Sequence, residues 1–145
     1  MDAELSKATA DSRQAGPGSL FAAIPGTLFD GHDFIPAALF AGAPAVLLSE
    51  WPEGGEWPGD RVGLQVPDPR RALALCAHLL HGQPSSSLRS VGITGTNGKT
   101  STVAILRPIL EAAGMSSGSV GTTGIEWTEA GRNVHHEATH TTPEG

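Results

Sequence analysis

The sequence has little cysteine, no excess of basic residues and no long apolar run, and each of these shortages excludes a class of protein. It has a single cysteine, Cys76, among 145 residues, which excludes an internal disulfide and favours a reducing compartment. Its net charge is −6, so no basic surface recommends nucleic acid as a partner. No apolar run approaches the length of a membrane span, and residues 1–10 lack the layout of a signal peptide. We therefore expect a cytoplasmic protein without a membrane or nucleic-acid partner.

Short strands that alternate with helices predict an α/β protein. In the first part of the chain, residues 1–10 are expected to be poorly ordered. Asp33 and Asp68 are expected to cap two helices. A change to small polar residues at 84–87 predicts a domain boundary. The expected strands are 19–24, 45–48 and 62–66, and the expected helices are 34–41 and 70–81. Their apolar faces are expected to carry Ile35, Leu39 and Phe40, and Leu73, Leu75, Leu79 and Leu80.

A glycine-rich loop followed by lysine and two hydroxyl residues is the strongest motif of the sequence. A strand expected at 90–94 leads into it, and a helix is expected at 98–113. The loop consists of Gly95, Thr96, Asn97, Gly98, Lys99, Thr100 and Ser101. Backbone N–H groups and the helix N-terminus would hold phosphates, Lys99 would reach the terminal ones, and the Thr100 hydroxyl would ligate Mg²⁺. Because Ile93 stands where the general pattern has its first glycine, we predict a variant phosphate-binding loop; the alternative is a glycine-rich turn that happens to precede Lys-Thr.

The sequence after this loop predicts a helix with one apolar face, followed by a strand and a hairpin. Pro108 lies inside the helix, where it removes a backbone hydrogen bond and predicts a kink or an early end. A strand at 117–121 is expected to run parallel to the strand at 90–94, and 122–134 is expected to form an irregular hairpin with its turn at Ala130 and Gly131. The inward face of the helix is expected to carry Val103, Leu106 and Leu110.

Two polar clusters could be taken as metal sites. The segment 136–140 matches the His-Glu-x-x-His pattern of zinc hydrolases, which needs a helix. β-branched threonines and Pro143 argue against a helix there, so we interpret the match as a chance one. The cluster of Asp30, His32 and Asp33 is explained by turn and helix-cap chemistry.

The loop at 95–100 resembles that of the Mur ligase superfamily, the ATP-dependent ligases that build peptidoglycan stem peptides. The segments 11–26 and 29–43 are similar to the family's N-terminal uridine-binding domain, and 121–124 followed by 141–144 is similar to the central domain of its MurE type. The resemblance implies a small N-terminal α/β uridine-binding domain at 1–84 and the start of a P-loop-type, parallel-sheet ATP-binding domain at 88–145. MurF-type ligases share the N-terminal pattern.

The resemblance also implies roles for individual residues. Ser12 and the loop Thr27, Leu28 and Phe29 would contact the uridine nucleotide, and the residues from Gly95 to Ser101 would hold the ATP phosphates. Thr141 and Thr142 would touch the muramoyl-peptide substrate. The family usually has asparagine before this threonine pair, whereas this chain has His140, so a substrate contact at position 140 is open.

The implied reaction is the addition of the third amino acid to UDP-N-acetylmuramoyl-L-alanyl-D-glutamate. ATP, with Mg²⁺, phosphorylates the γ-carboxylate of the D-glutamyl group, and the amine of the incoming amino acid attacks the acyl phosphate. The family's remaining apparatus, and therefore its catalytic residues, lies outside these 145 residues, so we expect a fragment that is inactive alone as a ligase. A MurF-type fragment and a stand-alone, non-catalytic nucleotide-binding module are the alternatives. The sequence predicts neither the amino acid that is added nor the oligomeric state.

Overall fold

The chain forms two compact units, which a computed structural model describes over residues 4–54, 57–129 and 132–136. The first unit ends at Arg89 and the second begins at Ser90, shortly after the polar stretch at 84–87. Within the described ranges, no helix is long and apolar enough to cross a membrane.

The first unit is a four-stranded parallel sheet in the order β1-β2-β3-β4. Every residue of β2 and β3 is buried, as expected for central strands of a parallel sheet that is covered on both faces. The sheet confirms the predicted α/β fold class. The strands are β1 at Lys7–Thr9, β2 at Ser19–Ala22, β3 at Ala45–Leu48 and β4 at Val62–Gln65.

Alternating side chains of the central strands build a core on each face of this sheet. On one face, Phe21 and Val46 pack together with Ile35 of α1, which spans Ile35–Phe40. On the other face, Leu20 and Leu47 pack against α2, which spans Pro69–Leu80. Asp68 caps α2 as predicted, because its carboxylate accepts the Arg71 backbone N–H at 3.0 Å.

Two predictions about local structure in this unit are wrong. Residues Lys7–Thr9 form edge strand β1 instead of being disordered, because the ladder to β2 uses backbone groups and tolerates polar side chains. Asp33 does not cap α1. A 3₁₀ turn at Gly31–Phe34 precedes the helix, and Asp30 caps that turn by accepting the His32 backbone N–H at 2.9 Å.

The predicted apolar faces of α1 and α2 are only partly correct. Ile35 is buried, but the side chain of Phe40 is 96% exposed. On α2, Leu75 and Leu79 are exposed, whereas Leu73 and Cys76 pack against the sheet. The residues that face the sheet include small ones, such as Ala38 in α1. Which side of a helix faces the sheet depends on how the helix packs, and the helical period alone does not fix it.

The second unit consists of α3 and an antiparallel sheet in the order β5-β6-β7. The helix continues past Pro108, so the predicted early end is wrong, while a kink stays a prediction. Val103, Leu106 and Leu110 are half-buried and Ile105 and Ile109 are exposed, which confirms the predicted inward face. The elements are α3 at Lys99–Ala112, β5 at Gly118–Gly121, β6 at Gly124–Glu129 and β7 at Arg132–His136.

The pairing in this sheet corrects the predicted topology. Residues 90–94 form no ladder within the described part of the chain, and Val91 is exposed there. Because a strand exists only with a backbone partner, the β-branched pattern at 90–94 was not sufficient to predict one. β5 pairs antiparallel with β6 rather than parallel to 90–94. The hairpin of β6 and β7 is confirmed by its register, in which Glu129 faces Arg132, while its turn at 130–131 lies outside the described residues.

Candidate functional site

Two glycines shape the loop that precedes α3. Gly95 has a φ of +144° and Gly98 a φ of +80°, which are backbone conformations that side chains disfavour. No atom lies within 4 Å of a Cβ built at Gly98, so the requirement for glycine there is conformational rather than steric. Gly98 is the N-cap of α3 and makes no side-chain cap hydrogen bond. The first turn of α3 therefore offers backbone N–H groups to an anion.

Lys99 folds back over this loop. Its ammonium group donates to the carbonyl oxygens of Gly95 and Thr96, while the hydroxyl of Thr102 donates to the Gly98 carbonyl at 2.8 Å. Thr100 and Ser101 are exposed beside it. The structure thus brings a cation, helix N–H groups and hydroxyl oxygens together at one helix terminus. Hydroxyl oxygen is a ligand of the type that Mg²⁺ accepts, so Thr100 fits the predicted metal contact.

A polar network centred on Arg107 lies further along α3 and was not found from the sequence. Its guanidinium Nη1 lies 2.5 Å from Glu126 of β6, and its Nη2 lies 3.4 Å from both Glu111 of α3 and Asn133 of β7. The Arg107 side chain is only 12% exposed. The i, i+4 spacing of Arg107 and Glu111 was the only signal in the sequence.

The Glu111 carboxylate completes this network. It accepts the Thr128 hydroxyl at 2.7 Å and the Ser117 hydroxyl at 3.1 Å. The Thr128 hydroxyl is the main cause that lowers the pKa of Glu111, with a smaller contribution from the Arg107 charge. Arg107, Glu111 and Glu126 also line a cleft of about 310 Å³ that extends to Thr100. The helix that begins at the phosphate loop is thereby tied to the β6–β7 hairpin.

The residues predicted to bind uridine follow two neighbouring strands. Ser12 opens a 3₁₀ turn that comes after β1, and the segment 27–29 comes after β2. Because β1 and β2 are parallel neighbours, both segments leave the sheet at its carboxyl edge, where open α/β sheets bind ligands. Asp11 caps the turn and holds the exposed Arg13 guanidinium at 2.9 Å. This pair lowers the pKa of Asp11 to about 2.

The segment 27–29 is the tip of a tight closed loop. Pro25 and Asp30 form an antiparallel bridge, and the Gly26 N–H donates to the Phe29 carbonyl at 3.0 Å. Gly31 lies against the backbone of Ile24, so a Cβ at this position would collide with it. Leu28 and Phe29 are 82% and 72% exposed at the tip. The loop therefore presents two apolar side chains from a braced backbone.

His32 joins this loop to the end of β3. Its Nδ1 lies 2.7 Å from the Asp30 carboxylate, and its Nε2 lies 3.2 Å from the Ser49 hydroxyl. These distances are those of a nucleophile–base–acid triad. Nε2 also accepts the Ser49 backbone N–H at 3.2 Å and the Glu50 N–H at 3.4 Å, which makes the arrangement a structural tie between loop and strand. Hydrogen bonds from His32, first from its backbone N–H and then from its ring, lower the pKa of Asp30.

The remaining predicted residues have a more limited description. His136 lies in β7, where its ring stacks on Trp127 with a centroid separation of 5.5 Å. The rest of the zinc-hydrolase pattern, at 137–140, lies outside the described residues, as do Thr141 and Thr142. Among the described residues, no three histidine, cysteine or acidic side chains form a group that could hold a metal ion.

The first unit has a parallel sheet, and the second has a glycine-rich loop that leads into a helix N-terminus, a combination of loop and helix that is typical of phosphate binding. Two family models match the chain. The model for the Mur ligase family, catalytic domain, matches residues 4–80, and the model for the Mur ligase middle domain matches residues 93–145. The first match alone spans more than half of the sequence. The chain belongs to the Mur ligase family.

Curated relatives from several bacteria match nearly the whole chain. The UDP-N-acetylmuramoyl-L-alanyl-D-glutamate--2,6-diaminopimelate ligase of Syntrophomonas wolfei is 42% identical over 99% of this chain and 28% of its own length. The UDP-N-acetylmuramyl-tripeptide synthetase of Deinococcus radiodurans is 43% identical over 99% of this chain and 29% of its own length. The chain thus spans less than a third of the length of these relatives.

Solved structures of the same family share the fold. The MurF ligase of Thermotoga maritima, solved in complex with ADP, is 30% identical and has a TM-score of 0.53 over 77% of this chain and 25% of its own. The UDP-N-acetylmuramoylalanyl-D-glutamyl-2,6-diaminopimelate--D-alanyl-D-alanyl ligase of Acinetobacter baumannii is 25% identical, with a TM-score of 0.54 over 74% of this chain and 23% of its own. These likenesses support the α/β fold described above.

Proposed function

We propose that this chain is the uridine-binding and phosphate-binding part of a MurE-type, ATP-dependent amide-bond ligase. Such a ligase adds the third amino acid to UDP-N-acetylmuramoyl-L-alanyl-D-glutamate in peptidoglycan precursor synthesis. The observation that carries the proposal is the glycine-rich loop at 95–101, which leads into a helix N-terminus that has no side-chain cap hydrogen bond and has Lys99 beside it. The names of relatives that are 42% and 43% identical support the particular substrate. A cytoplasmic location goes with this proposal and fits a chain with one cysteine.

ATP binding would use the residues of the phosphate loop. Lys99 has to break its hydrogen bonds to the Gly95 and Thr96 carbonyl oxygens, so that its ammonium group can donate to phosphate oxygens instead. The backbone N–H groups at the start of α3 would donate to the same anion. The ADP bound to the related MurF ligase supports this ligand class. Mg²⁺, when bound through Thr100, supplies positive charge that offsets the charge of the phosphoryl group.

The first unit would hold the uridine end of the muramoyl substrate. Ser12 offers a hydroxyl group, and the braced loop at 27–29 offers Leu28 and Phe29 as an apolar surface for the uracil ring. Both lie at the carboxyl edge of the parallel sheet. Thr141 and Thr142 are proposed to contact the peptide part of the substrate. The amino group of the incoming amino acid would then attack the acyl phosphate that ATP forms on the γ-carboxylate, which releases phosphate.

The phosphate-loop assignment is tested by the change Lys99→Ala. Loss of the ammonium charge removes its attraction to the phosphates, so we expect at least a tenfold loss of ATP affinity in isothermal calorimetry, corresponding to about 1.5–3 kcal/mol for hydrogen bonds to a charged group. Lys7→Ala is the matched control, because Lys7 is the other lysine of the chain and contacts Gln14 in the first unit. Unchanged ATP affinity in Lys99→Ala would refute the assignment.

MurF-type activity is the second candidate, because both of the solved structures described above carry MurF-type names. The two candidates differ in substrate length. A MurE-type chain should bind UDP-N-acetylmuramoyl-dipeptide at least as tightly as the corresponding tripeptide nucleotide, since it acts before the third residue is added. Competition of the two nucleotides for the same site decides between them, and a clear preference for the tripeptide form would favour the MurF type.

A further inference from the structure

We propose that His32 is a positioning residue for the uridine loop at 25–30. In its neutral form the imidazole connects the Asp30 end of this loop to the carboxyl end of β3, and protonation at Nε2 weakens this connection and, with it, the binding of a uridine nucleotide. This inference rests on the proposed uridine site of the first unit. It assigns a role to a side chain that is not itself expected to touch the ligand.

Backbone contacts close the loop where its two ends meet. The bridge between Pro25 and Asp30 closes it, and the Gly31 N–H donates to the Ile24 carbonyl at 3.0 Å. The His32 side chain connects the loop to the sheet, since it contacts Asp30 on one side and Ser49 at the end of β3 on the other. The His32 side chain is 17% exposed, and its contacts to Ser49 are partly buried, whereas the Asp30 carboxylate is half-exposed. The position of Leu28 and Phe29 relative to the sheet therefore depends on His32.

The two ring nitrogens of His32 have opposite requirements. Nδ1 faces the Asp30 carboxylate and acts as the donor, whereas Nε2 accepts the Ser49 N–H at 3.2 Å and therefore has to be unprotonated. A second proton on the ring would turn Nε2 into a donor that faces two backbone donors, the N–H groups of Ser49 and Glu50. The contact to Asp30 would survive this change. Both backbone hydrogen bonds would be lost, and only the Ser49 hydroxyl oxygen, 3.2 Å from Nε2, could accept the new N–H. Protonation would thus weaken the attachment of the loop to the end of β3.

The charged groups that face His32 are carboxylates and one guanidinium. Asp30 contacts the ring directly, and its lowered pKa keeps it a carboxylate throughout the range in which histidine titrates. Asp33, Asp60 and Arg61 line the same cleft of about 690 Å³ as His32, and Arg61 pairs with Asp60 at 3.5 Å. Glu50 approaches through its backbone N–H. Aspartate and glutamate ordinarily titrate at lower pH, and arginine at much higher pH.

The experiment measures the affinity of the 145-residue chain for UDP-N-acetylglucosamine between about pH 8 and pH 5.5. Each phosphate of this probe carries one ester and one anhydride bond and therefore only one, strongly acidic, proton, so the ligand does not titrate over the range. We expect the wild-type affinity to fall about three- to tenfold as the pH is lowered, which is the effect of losing one hydrogen bond. The amide resonance of Ser49 should shift with the same midpoint.

Two substitutions separate the contacts of the ring. His32→Gln places an amide oxygen where Nε2 lies and cannot titrate, so its affinity should stay near the wild-type value at pH 8 and should not fall at pH 5.5. His32→Asn reaches Asp30 but not Ser49, so its affinity should be low at both pH values. His78→Gln is the matched control, because His78 lies on α2 and contacts Ser85, away from the loop. Its pH profile should match that of the wild type.

The outcomes separate this inference from the function on which it rests. A wild-type chain that binds the probe with no pH dependence, or a His32→Gln variant that keeps the wild-type dependence, overturns the role of His32 and leaves the uridine site standing. A wild-type chain that does not bind the probe at any pH overturns both. If His32→Gln does not fold, the pH dependence of the Ser49 amide in the wild type and the affinity of His32→Asn decide the question.

Discussion

The two units of the chain bury their apolar residues to very different degrees. In the first unit, Phe21, Val46 and Leu48 have no exposed area. In the second, Gly124 is the only buried residue among those described, and Ile105 on α3 is 65% exposed. Burial of apolar surface is the main favourable contribution to folding. The first unit therefore has a core of its own, whereas the second depends on backbone ladders, one polar network and a half-buried apolar face of α3.

This difference extends to the two candidate sites. The loop at 25–30 is attached to a buried parallel sheet through backbone bonds and through His32. The phosphate loop at 95–101 is attached to α3, whose own contacts are half-exposed, and residues 90–94 form no ladder with the described strands. Segments with few buried apolar contacts open locally at a lower free energy than a core does. We expect the phosphate loop to be the more mobile of the two on the timescale of amide exchange.

The largest expected effect is on the stability of the first unit, through its buried core. Phe21→Ala removes a fully buried ring and should lower the free energy of unfolding of the first unit by about 3–5 kcal/mol. Ile105→Ala removes an exposed side chain and should change stability by less than about 0.5 kcal/mol. Urea unfolding followed by circular dichroism measures both changes. A cost for Ile105→Ala close to that of Phe21→Ala would mean that this face of α3 is buried in solution.

An intermediate effect is expected at the polar network of the second unit. Arg107→Ala leaves Glu126 and Glu111 without their cation and should reduce the free energy of opening of β6 and β7 by about 1.5–3 kcal/mol. Amide hydrogen exchange of these two strands is the measurement. Arg132→Ala, at the exposed start of β7, is the control. Unaltered protection in Arg107→Ala would show that the hairpin does not depend on the network.

The smallest expected effect concerns the exposed pair of Asp11 and Arg13. The pair lowers the pKa of Asp11 from 3.8 to about 2, so its stabilisation is present above about pH 4 and is lost as the pH falls through 2. Asp11→Asn should cost about 0.2–1 kcal/mol at pH 7, since the Arg13 guanidinium is exposed and solvent screens the pair. The difference between wild type and variant in urea unfolding should shrink between pH 5 and pH 2. A constant difference over that range would argue against the ion pair.

Some features could be predicted because their signals are local. The cap at Asp68, the buried runs of β2 and β3 and the hairpin of β6 and β7 follow from spacing and turn chemistry within a few residues. The glycines of the phosphate loop take the left-handed backbone conformations that their positions require. The domain assignment and the roles of the site residues remain predictions.

Other features could not be predicted because they depend on distant partners. Whether 90–94 and 7–9 become strands depends on a neighbouring backbone, and the pattern of side chains predicted the wrong answer for each. The exposure of Phe40 depends on how α1 rotates on the sheet. The contacts from Asp30 through His32 to Ser49 include one between His32 and Ser49, which lie 17 positions apart in the sequence.

The sequence by itself determined the class of fold, the family and the glycine conformations of the loop at 95–101, because glycine conformation, helix capping and strand burial act within short stretches of chain. Only the tertiary structure decided that His32 connects Asp30 to Ser49 at the end of β3 and that Arg107 joins α3 to the β6–β7 hairpin. The physical reason is the range of each interaction. Backbone conformation is set by immediate neighbours, whereas a hydrogen bond between side chains exists only after the sheet and helices have brought its two partners within about 3 Å.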